Sequence, residues 1–107
     1  MFNGLPTLDD VDVAGKRVLL RAAYDVPLVT NSDGTIEVGV DGRIPATVPT
    51  IQRLLDADCS IVICGGWLGR PQGAVVPELR MEPVAARLHE LLGRPVTKLD
   101  DCVGSEV

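Results

Sequence analysis

Ile61-Val62-Ile63-Cys64 runs without a polar residue straight into Gly65-Gly66-Trp67-Leu68-Gly69-Arg70-Pro71-Gln72-Gly73. No other stretch restricts the fold so much. A β-branched run lacking polar alternation reads as a strand buried on both faces, the kind that parallel sheets use. Glycines at 65, 66 and 69 exclude regular structure and favour a tight loop with exposed backbone. In α/β proteins such a loop, beyond the carboxyl end of a buried parallel strand, is where ligands bind. Arg70 is the one cation of the loop, and its planar guanidinium suits a carboxylate or phosphate. A solvated arginine on an ordinary turn is the plainer reading, and the loop alone leaves both open. It is not a Walker loop, since no Gly-Lys-Ser/Thr follows, and it lacks the third glycine of a dinucleotide fingerprint.

Along the chain, Leu8 to Gly15 is polar and acidic, and Lys16-Arg17 opens a second apolar strand, Val18-Leu19-Leu20-Arg21. Tyr24-Asp25-Val26-Pro27 leaves that strand, with Pro27 fixing a non-helical exit. Asn31-Ser-Asp-Gly34 signals a turn, followed by a polar loop containing Gly39 and Gly42. Ile44, Val48, Ile51 and Leu55 then fall on one helical face. Pro45 and Pro49 predict an irregular first turn or a late helix start. After the central strand, Ser60 to Cys64, Glu82-Pro83 opens a second helix with Val84, Leu88 and Leu91 inward and Gly93 closing it. Pro95-Val-Thr-Lys-Leu99 reads as a short third strand.

The predicted fold is therefore α/β: a Rossmann-like β-α-β-α-β unit with a parallel sheet. With both helices on one face, it is an incomplete three-layer sandwich and the chain reads as truncated. The opposite face, lined by alternate members of Val18-Leu19-Leu20 and Ile61-Val62-Ile63, lacks a covering layer. An apolar sheet face is rarely left in water, so a two-fold homodimer through it is expected, or else a marginally folded chain.

One small domain fits 107 residues, and with one Phe, one Trp and one Tyr its core must be aliphatic. The net charge of −5 argues against a nucleic-acid or membrane-surface partner, either of which asks for a basic field. Cys59, Cys64 and Cys102 have neither disulfide-framework nor metal-site spacing, and Cys64 reads as a small core hydrophobe. Neither a signal peptide nor a membrane span is visible, so a cytoplasmic location is expected.

Several phrases, in this order and spacing, carry a resemblance: Asp12-Val-Ala-Gly-Lys-Arg-Val-Leu-Leu-Arg21, Val26-Pro27-Leu28, Gly42-Arg43-Ile44, Pro49-Thr50-Ile51, Leu68-Gly-Arg-Pro-Gln-Gly73, Pro83-Val-Ala-Ala-Arg-Leu88, Leu91-Leu-Gly-Arg-Pro-Val96 and Asp100-Asp-Cys-Val-Gly104. Together they resemble the beginning of phosphoglycerate kinase, from about Leu8 to Val107. The resemblance implies two Rossmann-like domains, an N-terminal one for 3-phosphoglycerate and a C-terminal one for magnesium-ATP, closing about a hinge. Residues 1–107 would be part of the N-terminal domain, without cofactor or metal of their own.

The same resemblance implies which residues face substrate. Arg43 matches the arginine that contacts the carboxylate and the transferred phosphoryl group, and would stabilise charge in the transition state. Gly69 and Arg70 match the Leu-Gly-Arg-Pro loop and its basic patch. Three positions depart from the pattern: Ala23 stands for the family's Asp, Asp25 for its Asn, and Trp67 for its His, with Gly65 as an insertion. Hydrogen bonds to charged groups contribute about 1.5–3 kcal/mol each, so losing two or three weakens binding on the order of a thousandfold. Asp25 also sets a carboxylate against an anionic ligand. Trp67 reads more readily as core packing than as a new apolar lining. The expected ligand is 3-phosphoglycerate or another small anion, weakly held. The alternative is a diverged or redesigned non-catalytic α/β scaffold.

Overall fold

The computed structural model describes residues 4–107, and its element order departs from the expected one at two places. β1 (Arg17–Arg21) is followed by β2 (Leu28–Thr30), β3 (Ile36–Val38), α1 (Arg43–Asp56), β4 (Ser60–Cys64) and α2 (Glu82–Leu92). Short 3-10 turns lie at Leu8–Asp10 and Pro77–Leu79. β1 and β4 pair in parallel, Arg17 opposite Ser60 through Arg21 opposite Cys64. The connection between them carries β2, β3 and α1, so α1 begins beyond the carboxyl ends of the strands and runs back towards their start.

β2 and β3 form an antiparallel hairpin in what reads from the sequence as a polar loop. The predicted turn at its tip is present. Asn31 and Thr35 close it by backbone hydrogen bonding at 2.8 Å. Asp33 Oδ1 accepts from the Thr35 hydroxyl at 2.7 Å and from its amide at 3.0 Å. Those bonds hold the Asp33 carboxyl below its usual range.

The third strand predicted at Pro95–Leu99 does not pair among the described residues. Lys98 instead meets Glu82 at 3.0 Å, and Arg80 donates to the Asp100 carbonyl at 3.0 Å. These contacts hold the segment beside the start of α2, and Val96 packs onto the core. Extended propensity alone cannot form a strand without a partner ladder.

α1 is also less disturbed by its prolines than expected. It is continuous from Arg43, with Pro49 inside it. Pro45 falls in the first turn, where N–H groups have no intrahelical acceptor. Only Pro49 removes a bond from the interior. Ile44, Ile51 and Leu54 are buried along its inner face. α2 carries Val84 and Leu88 inward and ends at Gly93, whose φ of 66° is the left-handed cap expected of it.

Tyr24, Val26, Ile44, Ile51, Leu68, Val84 and Leu88 form one core, joined by the partly buried Leu20, Ile61 and Ile63 of the sheet. All of this lies on one side of the sheet. On the other side Arg17, Leu19, Arg21, Ser60, Val62 and Cys64 are exposed. Neither strand is buried on both faces, and Cys64 is no core residue, because strand alternation turns it outward.

Candidate functional site

Loops gather beyond the carboxyl ends of β1 and β4, and their apolar residues fix them. Tyr24 and Val26, on the exit from β1, are buried. The backbone continues the pairing past the strand: Ala22 N–H donates to the Cys64 carbonyl at 3.0 Å, and Tyr24 N–H to the Gly65 carbonyl at 3.1 Å. At the far end of the ring, the Tyr24 hydroxyl lies 2.6 Å from Thr47 Oγ1 in α1. The Thr47 hydroxyl can also donate to the Ile44 carbonyl at 2.8 Å. In the Tyr24–Thr47 pair either hydroxyl can be the donor, and the titratable group is the Tyr24 phenol. Burial pushes its pKa up, and the Thr47 contact offsets part of that rise.

The glycine loop after β4 needs its glycines for space as much as for conformation. A Cβ at Gly65 would sit 3.0 Å from Met81 Cε and 3.1 Å from Tyr24 Cδ2. Gly69 has φ of 59°, and a Cβ there would meet Leu79 Cδ2 at 3.2 Å. Leu68 turns into the core while its neighbour Trp67 is 63% exposed, so the reading of Trp67 as core packing is wrong. Alternation explains it: with Leu68 anchoring the loop inward, the preceding side chain is directed out.

Asp25 and the glycine loop are in contact. Asp25 Oδ1 accepts a hydrogen bond from the Gly69 N–H at 3.1 Å, across 44 residues of sequence. Ala23, two residues earlier, is exposed and presents only a methyl group. Arg43 is the first residue of α1, and Arg70 follows Gly69 on the loop; both are exposed. Among the described residues neither joins an ion pair. Gly42 precedes Arg43 as the N-cap and supplies no side-chain hydrogen bond, leaving the first-turn amides of α1 without a side-chain acceptor.

One positioning pair escapes sequence reading. Asp41, just before α1, is nearly buried and meets Arg87 Nε of α2 at 3.3 Å, while Arg87 Nη1 reaches Glu90 at 3.1 Å. Donating to the Glu90 and Asp41 carboxylates raises the Arg87 pKa. The pair fixes the start of α1, and so Arg43, relative to α2. Only the acid-base types of Asp41 and Arg87 hinted at it.

A hollow of about 200 Å³ lined by Leu8, Val11, Val13, Arg53, Leu54 and Ala57 lies between the segment before β1 and the C-terminal end of α1, at the opposite end of the strands from these loops. Among the described residues no group of three or more His, Cys, Asp or Glu is placed to hold a metal ion. No helix there is long and apolar enough to cross a membrane.

Parallel strands joined through a helix, with loops collected beyond their carboxyl ends, define a Rossmann-like α/β chain whose candidate site is a strand-end site. Comparison with known proteins narrows the class. A sequence model of the phosphoglycerate kinase family matches residues 8–107. Phosphoglycerate kinase of Acaryochloris marina is 47% identical over 103 residues, covering 96% of this chain and 24% of that protein. The Frankia alni phosphoglycerate kinase is 49% identical over 98 residues, covering 92% of this chain and 24% of its own length. The structure of phosphoglycerate kinase from Coxiella burnetii superposes with a TM-score of 0.69 at 29% identity, over 80% of this chain and 21% of that one. The chain belongs to the phosphoglycerate kinase family and spans about a quarter of the length of these curated relatives.

Proposed function

We propose that residues 1–107 are part of the N-terminal, 3-phosphoglycerate-facing domain of a phosphoglycerate kinase, a cytoplasmic glycolytic phosphotransferase. Arg43 is the observation that carries this reading. It stands exposed at the first position of α1, where the positive end of the helix dipole disfavours a cation, and it joins no ion pair among the described residues. A local rule broken without an internal partner is the mark of a group kept for a ligand. Arg43 and Arg70, with the Gly69 loop between sheet and solvent, would receive a small phosphorylated acid.

In the whole enzyme the terminal phosphoryl group of ATP passes to the 1-carboxylate of 3-phosphoglycerate, and Arg43 offsets the charge that spreads over the equatorial oxygens. ATP and its magnesium ion are assigned to a domain outside these residues. The 107-residue chain alone is therefore expected to turn over no ATP with 3-phosphoglycerate, as read by a coupled assay.

Titration with inorganic phosphate and with 3-phosphoglycerate, followed by amide shifts, tests the site directly. Shifts at the Arg43 and Arg70 amides, weakened by salt and by Arg43→Ala or Arg70→Ala, are the expected result, with affinity no better than about millimolar. Shifts confined to other regions would overturn it. Ala23 and Trp67 favour a second reading, a family member released from catalysis, because an exposed methyl and an exposed indole replace polar groups that the family uses. A coupled assay of the full-length protein separates the two: turnover supports the first, and turnover that appears only after restoring Ala23→Asp, Asp25→Asn and Trp67→His supports the second.

The exposed side of the sheet is further proposed to bring two copies together around Leu19, 73% exposed, and Val62, 52% exposed. Sedimentation of the isolated chain at micromolar concentration should give a dimer that Leu19→Lys abolishes. A monomer at every concentration would rule it out.

A further inference from the structure

Asp25 contributes something that the anion-binding reading does not require. Its backbone is held on both sides, since Tyr24 and Val26 are 2% and 6% exposed. Gly69 is held as firmly: Leu68 before it is 3% exposed, and Leu79 lies close enough to contact a Cβ placed at Gly69. Two anchored backbones thus bring an exposed carboxylate and a loop amide to 3.1 Å. Core residues anchor both backbones, so the contact needs only one rotamer of the exposed Asp25 side chain. The amide concerned is the one next to Arg70, where an anion docked on that guanidinium would look for a backbone donor.

We infer that Asp25 is a specificity-determining residue of the strand-end site, an internal carboxylate that takes the Gly69 amide and thereby excludes free small anions. This rests on the proposed anion site at Arg43 and Arg70. The exclusion has two parts. A free phosphate finds the Gly69 donor already engaged, and it approaches a fixed negative charge. A ligand that carries a hydrogen-bond donor or a positive group beside its acid offsets the repulsion, because it can pair with the Asp25 carboxylate. The favoured ligand class is therefore a hydroxy or amino acid phosphate, not a bare dianion.

Two substitutions separate the parts. Asp25→Asn keeps an oxygen for the Gly69 N–H and removes the charge; Asp25→Ala removes both. Inorganic phosphate should bind Asp25→Ala about tenfold tighter than the unaltered chain, the scale of one hydrogen bond to a charged group returned to the ligand, with Asp25→Asn between them. Hydrogen exchange at the Gly69 amide should accelerate about tenfold in Asp25→Ala and change little in Asp25→Asn. Equal phosphate affinity in all three proteins, with shifts still at Arg43 and Arg70, overturns the gating role and leaves the anion site standing. Unchanged Gly69 exchange in Asp25→Ala overturns the contact itself. Absence of shifts at both arginines in every variant removes the anion site and this inference together.

Discussion

The two faces of the parallel sheet are built from alternate residues of the same two strands, yet they lie in different surroundings. Val18, Leu20, Ile61 and Ile63 turn towards the side of α1 and are partly covered; Arg17, Leu19, Arg21, Ser60, Val62 and Cys64 face water. The period of two is a property of the backbone, so a single covering layer divides each strand residue by residue. The comparison teaches that an unbroken apolar run does not itself mean two buried faces. It states what the strand would tolerate, and the neighbouring layers decide what it receives. Tyr24, Val26 and Leu68 belong to the covered side although they lie in loops, so the candidate site is anchored by the same core as the helices.

The sharpest way to break this contrast is to truncate one residue on each side. Leu54→Ala, at a position 1% exposed, should destabilise by about 2–5 kcal/mol in urea unfolding. In a domain of this size that approaches the whole stability, so Ile51→Val, expected to cost about 0.5–1.5 kcal/mol, gives a measurable second point. Val62→Ala, on the open face, should stay within about 0.5 kcal/mol in the monomer. A Val62 effect as large as that of Leu54 would mean that the face is covered in solution.

Gly65 tests where the covered side reaches the site. Gly65→Ala drives a methyl against Met81 and Tyr24 and should cost about 1–3 kcal/mol, read by the same unfolding experiment. If the substitution were neutral, the loop would not be wedged between them.

The smallest effect lies at the rim, where Lys98 and Glu82 hold the segment that does not become a strand. Burial raises the Glu82 pKa, but hydrogen bonding from Lys98 and its own backbone, with the charges of Lys98 and Arg80, leaves it below the ordinary 4.5. A depressed folded-state value means that the contribution is present above the unfolded value and is lost as pH falls through the folded one. Glu82 is 55% exposed, so Glu82→Gln should cost only about 0.2–1 kcal/mol at neutral pH and flatten stability against pH below about 4.5. A difference persisting unchanged to pH 2 would show that the ion pair is not its source.

What the sequence by itself determined is local. Ile44, Ile51, Val84 and Leu88 on the inner helix faces, the cap at Gly93, the turn at Asn31–Gly34 and the strands at Val18–Arg21 and Ser60–Cys64 are short-range patterns, fixed by helical and strand periods or by glycine's freedom at positive φ. The helical period, by contrast, pointed to Val48 and Leu55 and missed the buried Leu54. Tertiary structure decided everything that needs a partner from elsewhere in the chain. β2 and β3 became strands by pairing with each other, whereas Pro95–Leu99, with comparable propensity, was drawn to the start of α2 by Glu82 and Arg80. Trp67 was turned out because Leu68 was needed inside, and Asp25 met Gly69 because two separate anchors brought them together. Pairing, coverage and long-range contact depend on how distant segments are placed against one another, and a one-dimensional pattern does not carry that information.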